Sequence, residues 1–379
     1  MPASVAQLLN IRPVTIREAR PVTRLLDYEC FIGVEMELEN DTRRAVRSIS
    51  AYNAARSGLV IKEDGSLRNG GVELVFAEPL TGSSAENAID AMFTIRDTYG
   101  LVGSFRTSTH VHVNYASEED TAAVLAKAVT IWLLIERAAA LTCGGAREFN
   151  SFCVPTYLTS PQAERAVYML TTMDDDTDAA TAQILLQNAV SHHRYAAMNL
   201  AALVKFGTIE YRLLGTASKD VTYNWINLLL EIKKSASTFT REYILAHPTF
   251  LGFIRSVLPR TGDYLVYSQD VEEAYVEARE RVLAPLGTDA YDDMDSTQEM
   301  PLSIDDTLLP LDDVPEDSEL DDIYRTVTER QIARAREILL SMNPGLSMNN
   351  GSTLRFVDTP VAPRRPAPMP SMFNQHENP

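Results

Sequence analysis

Hydrophobic and polar residues change period several times along this chain of 379 residues. Four short segments alternate: Phe31–Glu39, Gly71–Phe76, Ser108–Tyr115 and Gly207–Leu214. Period-two alternation sends successive side chains to opposite sides, so each segment reads as a strand with one apolar and one polar face. Apolar residues recur at helical spacing near Thr42–Arg56, Ser84–Tyr99, Glu118–Leu141, Ala163–Met173, Ala179–Ser191, Asp220–Leu245 and Tyr264–Leu283. Ser117-x-x-Asp120 predicts a capping box for the third of these helices. The strands are separated by pieces of unequal length rather than by regular βαβ units, and no internal repeat is visible. The pattern predicts an α+β domain over residues 13–287, with a mainly antiparallel sheet and packed helices.

The chain changes character after that domain. Between Asp289 and Asp322 stand fourteen Asp and Glu and no Lys or Arg, together with Pro301, Pro310 and Pro315. That composition predicts an acidic flexible linker over 288–317. Ser318 then precedes Leu320, Ile323, Tyr324, Val327, Ile332, Ile338 and Leu339, predicting a C-terminal helix over 318–343. A Pro-rich disordered tail is expected over 344–379. Linker and tail are the places where a protein partner would dock.

Charge looks different once it is located. The chain carries 34 Lys and Arg against 52 Asp and Glu, a formal net charge of −18. Most of the excess sits in the acidic window, and the body is close to neutral. The acidic balance opposes nucleic-acid backbones and anionic membrane surfaces, so neither is an expected partner. Cys30, Cys143 and Cys153 show no CxxC spacing, which favours reduced thiols. The start MPASVAQLLNIRP lacks a basic stretch leading into an apolar one, and the most apolar run, Ala128–Ile135, is far too short to span a bilayer. A cytoplasmic protein is expected.

The polar faces of the four strands carry the candidate chemistry. Alternation aligns Glu35, Glu37 and Glu39 against Val34, Met36 and Leu38. It aligns His110, His112 and Asn114 against Val111 and Val113, and Glu210 and Arg212 against Ile209, Tyr211 and Leu213. Glu73 stands opposite Val72, Leu74 and Phe76. A single strand of this kind is more often half-exposed, with a solvated polar face. Such faces usually mix Lys, Thr, Ser and Gln with acids, whereas these four together hold Glu, His, Asn and Arg and no Lys. Carboxylates sharing one face repel unless a cation compensates. Oxygen ligands with one or two histidines suit Mg²⁺ or Mn²⁺ better than Zn²⁺. No HExxH, P-loop, GxGxxG or GxSxG motif is present. Divalent ions held by carboxylates beside an arginine are a recurring way to stabilise phosphoryl transfer, so ATP chemistry on an open sheet is expected.

The order of motifs is then informative: GVEMELE, KEDGSL followed by GVELVFAEPL, THVHVN, and RYAAMNL running into GTIEYRLLGT. Over Phe31–Leu230 this series resembles the amidoligases, carboxylate–amine ligases with a glutamine-synthetase-like catalytic fold. The resemblance implies a curved antiparallel sheet holding two Mg²⁺. It also implies ATP-dependent amide or peptide-bond formation through an acyl phosphate, in a bacterial or phage setting. Carried over position by position, it makes Glu35, Glu37, Glu73 and Glu210 metal ligands, and His112 a contact to ATP phosphate or a metal. Arg212 matches the arginine at the transferring phosphoryl group, and Asp64 the residue that holds or deprotonates the amine, with Glu63 its alternative. Arg147 corresponds to a substrate-carboxylate position and Asn199 to a nucleotide position. His110 and Glu39 fit structural hydrogen bonding at least as well. Two other classes remain open on these residues: a catalytically idle assembly relative that binds protein partners, and a glutamate–cysteine-ligase-type enzyme. The resemblance stops short of the residues beyond Thr240.

Overall fold

The computed structural model describes residues 3–12, 24–26, 30–39, 58–63, 67, 71–104, 106–144, 147, 150, 152–191 and 195–284, which fall in one structural unit. The helix expected over Thr42–Arg56, Asp64, the acidic linker, the helix over 318–343 and the Pro-rich tail lie outside the described residues. Among the described residues no helix is long and apolar enough to cross a membrane.

The chain orders its elements as α1 (Val5–Leu8), β1 (Ile32–Leu38), β2 (Leu59–Glu63), β3 (Val72–Phe76), α2 (Gly82–Tyr99), β4 (Thr109–Asn114) and α3 (Ala122–Thr142). These are followed by α4 (Pro161–Leu170), α5 (Ala179–Val190), β5 (Met198–Asn199), α6 (Ala202–Phe206) and β6 (Thr208–Tyr211). The last helices are α7 (Lys219–Ala236), α8 (Arg241–Ala246), α9 (Phe250–Val257) and α10 (Gln269–Leu283). The strands form one six-stranded sheet in the order β2-β3-β1-β4-β6-β5, with every ladder antiparallel. The fold is α+β, as the alternating pattern predicts.

Core formation follows directly from the alternation. Val34, Met36, Leu38, Val72, Leu74, Val111, Val113, Ile209 and Tyr211 are almost fully excluded from solvent. Helices bury this apolar face. The α3 helix is buried nearly all round, so it shows no single hydrophobic stripe. Its Trp132 packs 4.8 Å from the Tyr211 ring of β6 and 6.1 Å from Trp225 of α7. Burying these three aromatics anchors the central helix to the sheet and to its neighbour. The opposite face of the sheet is left for chemistry.

Local details differ from the sequence reading in three places. Ser117 and Asp120 do pair, with Ser117 N and Oγ donating to Asp120 Oδ2, but they shape the turn before the helix. The cap itself is Thr121, whose Oγ1 accepts from Val124 N. The single helix read over Asp220–Leu245 is two helices. It breaks before Arg241 and delivers Phe239 into the core, 6.2 Å from Phe253 of α9. The helix expected from Tyr264 begins after Ser268, which caps it by accepting from Val271 N.

Candidate active site

Strand register assembles the polar face into two cross-strand rows. One row runs Lys62–Glu73–Glu37 across β2, β3 and β1. Another runs Gly33–His112–Glu210–Asn199 across β1, β4, β6 and β5. Between them Glu35 stands opposite His110. Residues two apart on a strand are separated by about 7 Å, within side-chain reach of one another. Four separate stretches of sequence therefore converge because each keeps the same parity.

The side chains of these rows lie close together. His110 Nδ1 lies 3.4 Å from both Glu35 Oε2 and Glu210 Oε1, and its Nε2 lies 3.8 Å from Glu37 Oε1. His112 Nε2 lies 3.6 Å from Glu35 Oε1, while its Nδ1 is 2.9 Å from Thr208 Oγ1. Glu37 Oε2 accepts from Ser108 N at 2.8 Å. Glu210 pairs with Arg212 through one oxygen and accepts from Asn199 Nδ2 at 2.7 Å through the other. Arg212 is held from behind by a bond from its Nε to Phe152 O at 3.1 Å.

These neighbours push the carboxyls in opposite directions. Burial acts to raise Glu35, but hydrogen bonds and charge from His110 and His112 overcome it and hold the group well below the usual range. Burial likewise acts to raise Glu210, and Arg212, His110 and His112 outweigh it. Glu73 goes the other way. Burial and the charge of Glu35 push it up to about 8, with Lys62 opposing. Two nearby carboxyls driven apart in this way are the signature of like charges crowded on one face.

The donor set fits a divalent cation. Glu35, Glu73 and His110 offer ligand atoms within 4.8 Å of one another, and so do Glu35, His112 and Glu210. The Nε2 atoms of both histidines are buried without a hydrogen-bond partner, a costly arrangement that an incoming ligand relieves. Carboxylates with imidazole and no thiolate match Mg²⁺ or Mn²⁺. Glu35 belongs to both groups.

Each expected residue can now be located. Glu35, Glu73, Glu210 and His112 meet in these groups, with Arg212 and Asn199 bonded to Glu210. Glu37 is beside them, joined to the Ser108 amide. Arg147 is buried, and its guanidinium donates to Leu213 O at 2.9 Å, Ser108 Oγ at 2.7 Å and Arg212 O at 3.1 Å. These bonds direct it to the chain segments flanking the site. Glu39 bridges by its backbone to Val102 beyond the end of β1. Asp64 is outside the described residues, and Glu63 pairs in register with Val72. Two further residues join the cluster: His110, whose role the sequence reading left open, and Lys62, 3.9 Å from Glu73. Lys62 sits on β2, whose apolar run Leu59-Val60-Ile61 was the signal that could have marked it as a strand.

The site is thus an antiparallel sheet with helices on one side and, on the other, a cluster of carboxylates, histidines and an arginine. The family model described as "Putative amidoligase enzyme" matches residues 37–233, more than half of the chain. The chain belongs to this amidoligase family, whose members are ligase-type enzymes. No curated protein matches it. The matched region runs from Glu37, at the end of β1, through most of α7, so Glu35 and helices α8, α9 and α10 lie outside it.

Proposed function

We propose that this chain is an ATP-dependent carboxylate–amine ligase that forms an amide bond through an acyl phosphate, in the cytoplasm of a bacterial or phage-infected cell. The observation that carries this reading is the pair of cation-ready groups sharing Glu35, with Arg212 beside them. Glu35, Glu73 and His110 would hold one divalent cation, Mg²⁺ or Mn²⁺, and Glu35, His112 and Glu210 a second. There the cations would supply neutralisation of the ATP phosphates, against which an anionic acid cannot otherwise approach.

The protein groups divide the work. A substrate carboxylate oxygen attacks the γ-phosphorus, the bond to the ADP oxygen breaks, and ADP leaves. Arg212 exchanges its contact with Glu210 for the oxygens of the transferring group and stabilises their charge. Asn199 and the Ser108 amide orient Glu210 and Glu37 throughout. The amine nitrogen then attacks the acyl carbon, phosphate leaves, and a base takes the amine proton. Asp64 is our candidate for that base, on the motif match alone.

Purified protein given Mg²⁺, ATP and pools of carboxylic acids and amines is expected to release ADP and phosphate. Glu35→Gln and Arg212→Ala should each lower that release by about 100-fold or more, the size of losing one preorganised electrostatic partner. Mg²⁺ or Mn²⁺ alone should raise the melting temperature of the wild type and not of Glu35→Gln. Equal release in the variants would remove the site assignment. A protein that calorimetry shows not to bind Mg²⁺–ATP is an idle relative instead.

A further inference from the structure

We infer that the acidic stretch 289–322 docks on its own chain, in a basic groove formed by the ends of α7 and α9 with α8. The inference stands apart from the ligase reading, because it concerns residues at and beyond the end of the family match. Residues 232–262 hold Lys233, Lys234, Arg241, Arg255 and Arg260 against one acid, Glu242. Residues 289–322 hold fourteen acids and no base. Two stretches of one chain thus carry opposite charge in a molecule whose remaining body is close to neutral.

The groove encloses about 330 Å³. Lys234, in the last turn of α7, and Arg260, just after α9, lie on its wall, and Phe239, Tyr243 and Val257 supply its apolar part. Ser235 Oγ donates to Val257 O at 2.6 Å and ties the two helix ends together. Lys233 does not contribute to the groove, since its Nζ donates to Asn114 O and Asp120 Oδ2 inside the fold. Glu231, the carboxylate among the described lining residues, is buried and accepts from Arg260 N at 3.1 Å and Thr261 Oγ1 at 2.6 Å. Arg255 and Arg260 are exposed, and among the described residues neither guanidinium is in an ion pair. Guanidinium groups favour carboxylates, which they meet with two parallel hydrogen bonds.

The path of the chain decides which acids arrive there. Arg241 Nη2 donates to Leu283 O, and Arg279 Nε donates to Ile244 O at 3.0 Å, so the end of α10 is pinned against α8. Tyr243 of the groove belongs to that same helix. From Leu283 to Asp289 is six residues, at most about 20 Å of extended chain, so the first acids begin within reach. Tethering holds them at an effective concentration on the order of millimolar, which lets individually weak surface pairs act together. Met300, Leu302, Ile304, Leu308 and Leu309 stand among the acids. They suit the exposed Tyr243 ring, which stacks on Phe239 with centroids 6.0 Å apart. A polyanion arriving from solution would instead meet a chain of net charge −18, most of which the tethered stretch itself supplies.

The test treats the full chain at low ionic strength with a carbodiimide, which joins a lysine amine to a carboxylate it touches. Mass spectrometry of the monomer band should find Lys234 linked to acids within 289–322. Arg255→Glu combined with Arg260→Glu, both at exposed positions, should cut that link about fivefold or more, while the melting temperature shows the body still folded. The double variant should also let a glutamyl endoprotease cut within 289–322 about fivefold faster, and about 0.5 M salt should do the same to the wild type. Unchanged links and cleavage in the variant overturn the inference. So does a product that joins isotope-labelled to unlabelled chains in a mixture, since the groove then seats a second copy. A synthetic peptide of residues 289–322 should bind the full chain about fivefold or more weaker than it binds a chain whose own acids there are changed to Asn and Gln. Equal binding to both overturns the inference as well, because the groove is then open to a separate acidic partner.

Discussion

Arg147 and Arg212 carry the same charge and use it differently. Arg212 offers its guanidinium to Glu210 on the reactive face, while Arg147 turns its own onto main-chain oxygens of residues 212 and 213 and onto Ser108. Ser108 in turn donates its amide to Glu37. Arg147 thus acts as a positioning residue, tying the segment after β6 to the start of β4 where both meet the cluster. Lysine cannot reproduce this fork, because it presents one compact charge in place of five planar donors. Arg147→Lys is expected to lower stability by about 2–4 kcal/mol in urea titration, through buried carbonyls left unpaired. Its kcat should fall with little change in KM for the acid. A raised KM at unchanged kcat would return Arg147 to carboxylate recognition.

At this scale, parity made the face legible and left the rotamers unread. Alternation placed Glu35, Glu73, Glu210, His112 and Arg212 on one side, and register then brought them together. It could not tell that His110 reaches three carboxylates at once, because that depends on the ring torsion rather than on the strand. Nor could it show that the donors of Arg147 are engaged by carbonyls far away in sequence.

Elements were readable in proportion to their length. The strands at the centre of the sheet and the helices α2, α3, α4, α5, α7 and α10 have enough turns or alternations to declare a period. β5 is two residues long and α6 five, too short for any periodicity. β2 presents three consecutive apolar residues, a fainter strand signal than alternation. Helix α9 is bracketed by His247-Pro248 and Leu258-Pro259, so its single amphipathic stretch reads as a connection. The joint between α6 and β6 is more demanding than its sequence implies. Gly207 sits at φ +67°, and a Cβ there would come within 2.5 Å of Ala116 Cβ. Gly207→Ala is expected to cost about 2–4 kcal/mol from strain and overlap together, seen as a fall in melting temperature. A variant as stable as wild type would show that the joint can re-form around the methyl.

Over the whole molecule, a charge buried far from the ligand side links stability to pH. Glu136, on α3, accepts from Trp132 Nε1, Thr156 N and Thr156 Oγ1. Burial still outweighs these bonds and pushes its carboxyl up to about 7. A carboxyl with a raised folded pKa binds more protons folded than unfolded between roughly pH 4.5 and 7. Stability contributed by the protonated form is therefore present at low pH and lost as pH rises through about 7. Urea midpoints measured from pH 5 to 8 should fall across this window. Glu136→Gln should start lower, having lost an acceptor for Thr156 N, and should remove much of the slope. A slope unchanged in the variant would assign the dependence to another group.

The two faces of the sheet also make length a stricter constraint than identity. A substitution at Glu35 or His112 changes one group, but deleting one residue from β1 or β4 shifts every later side chain of that strand to the opposite side. Carboxylates would then enter the layer occupied by Trp132 and Tyr211, and valines would take the places of Glu35 and His112. Single exchanges therefore act locally on this face, while its central strands tolerate no insertion or loss. In a library of single-residue deletions, those within Ile32–Leu38 and Thr109–Asn114 should yield no folded protein.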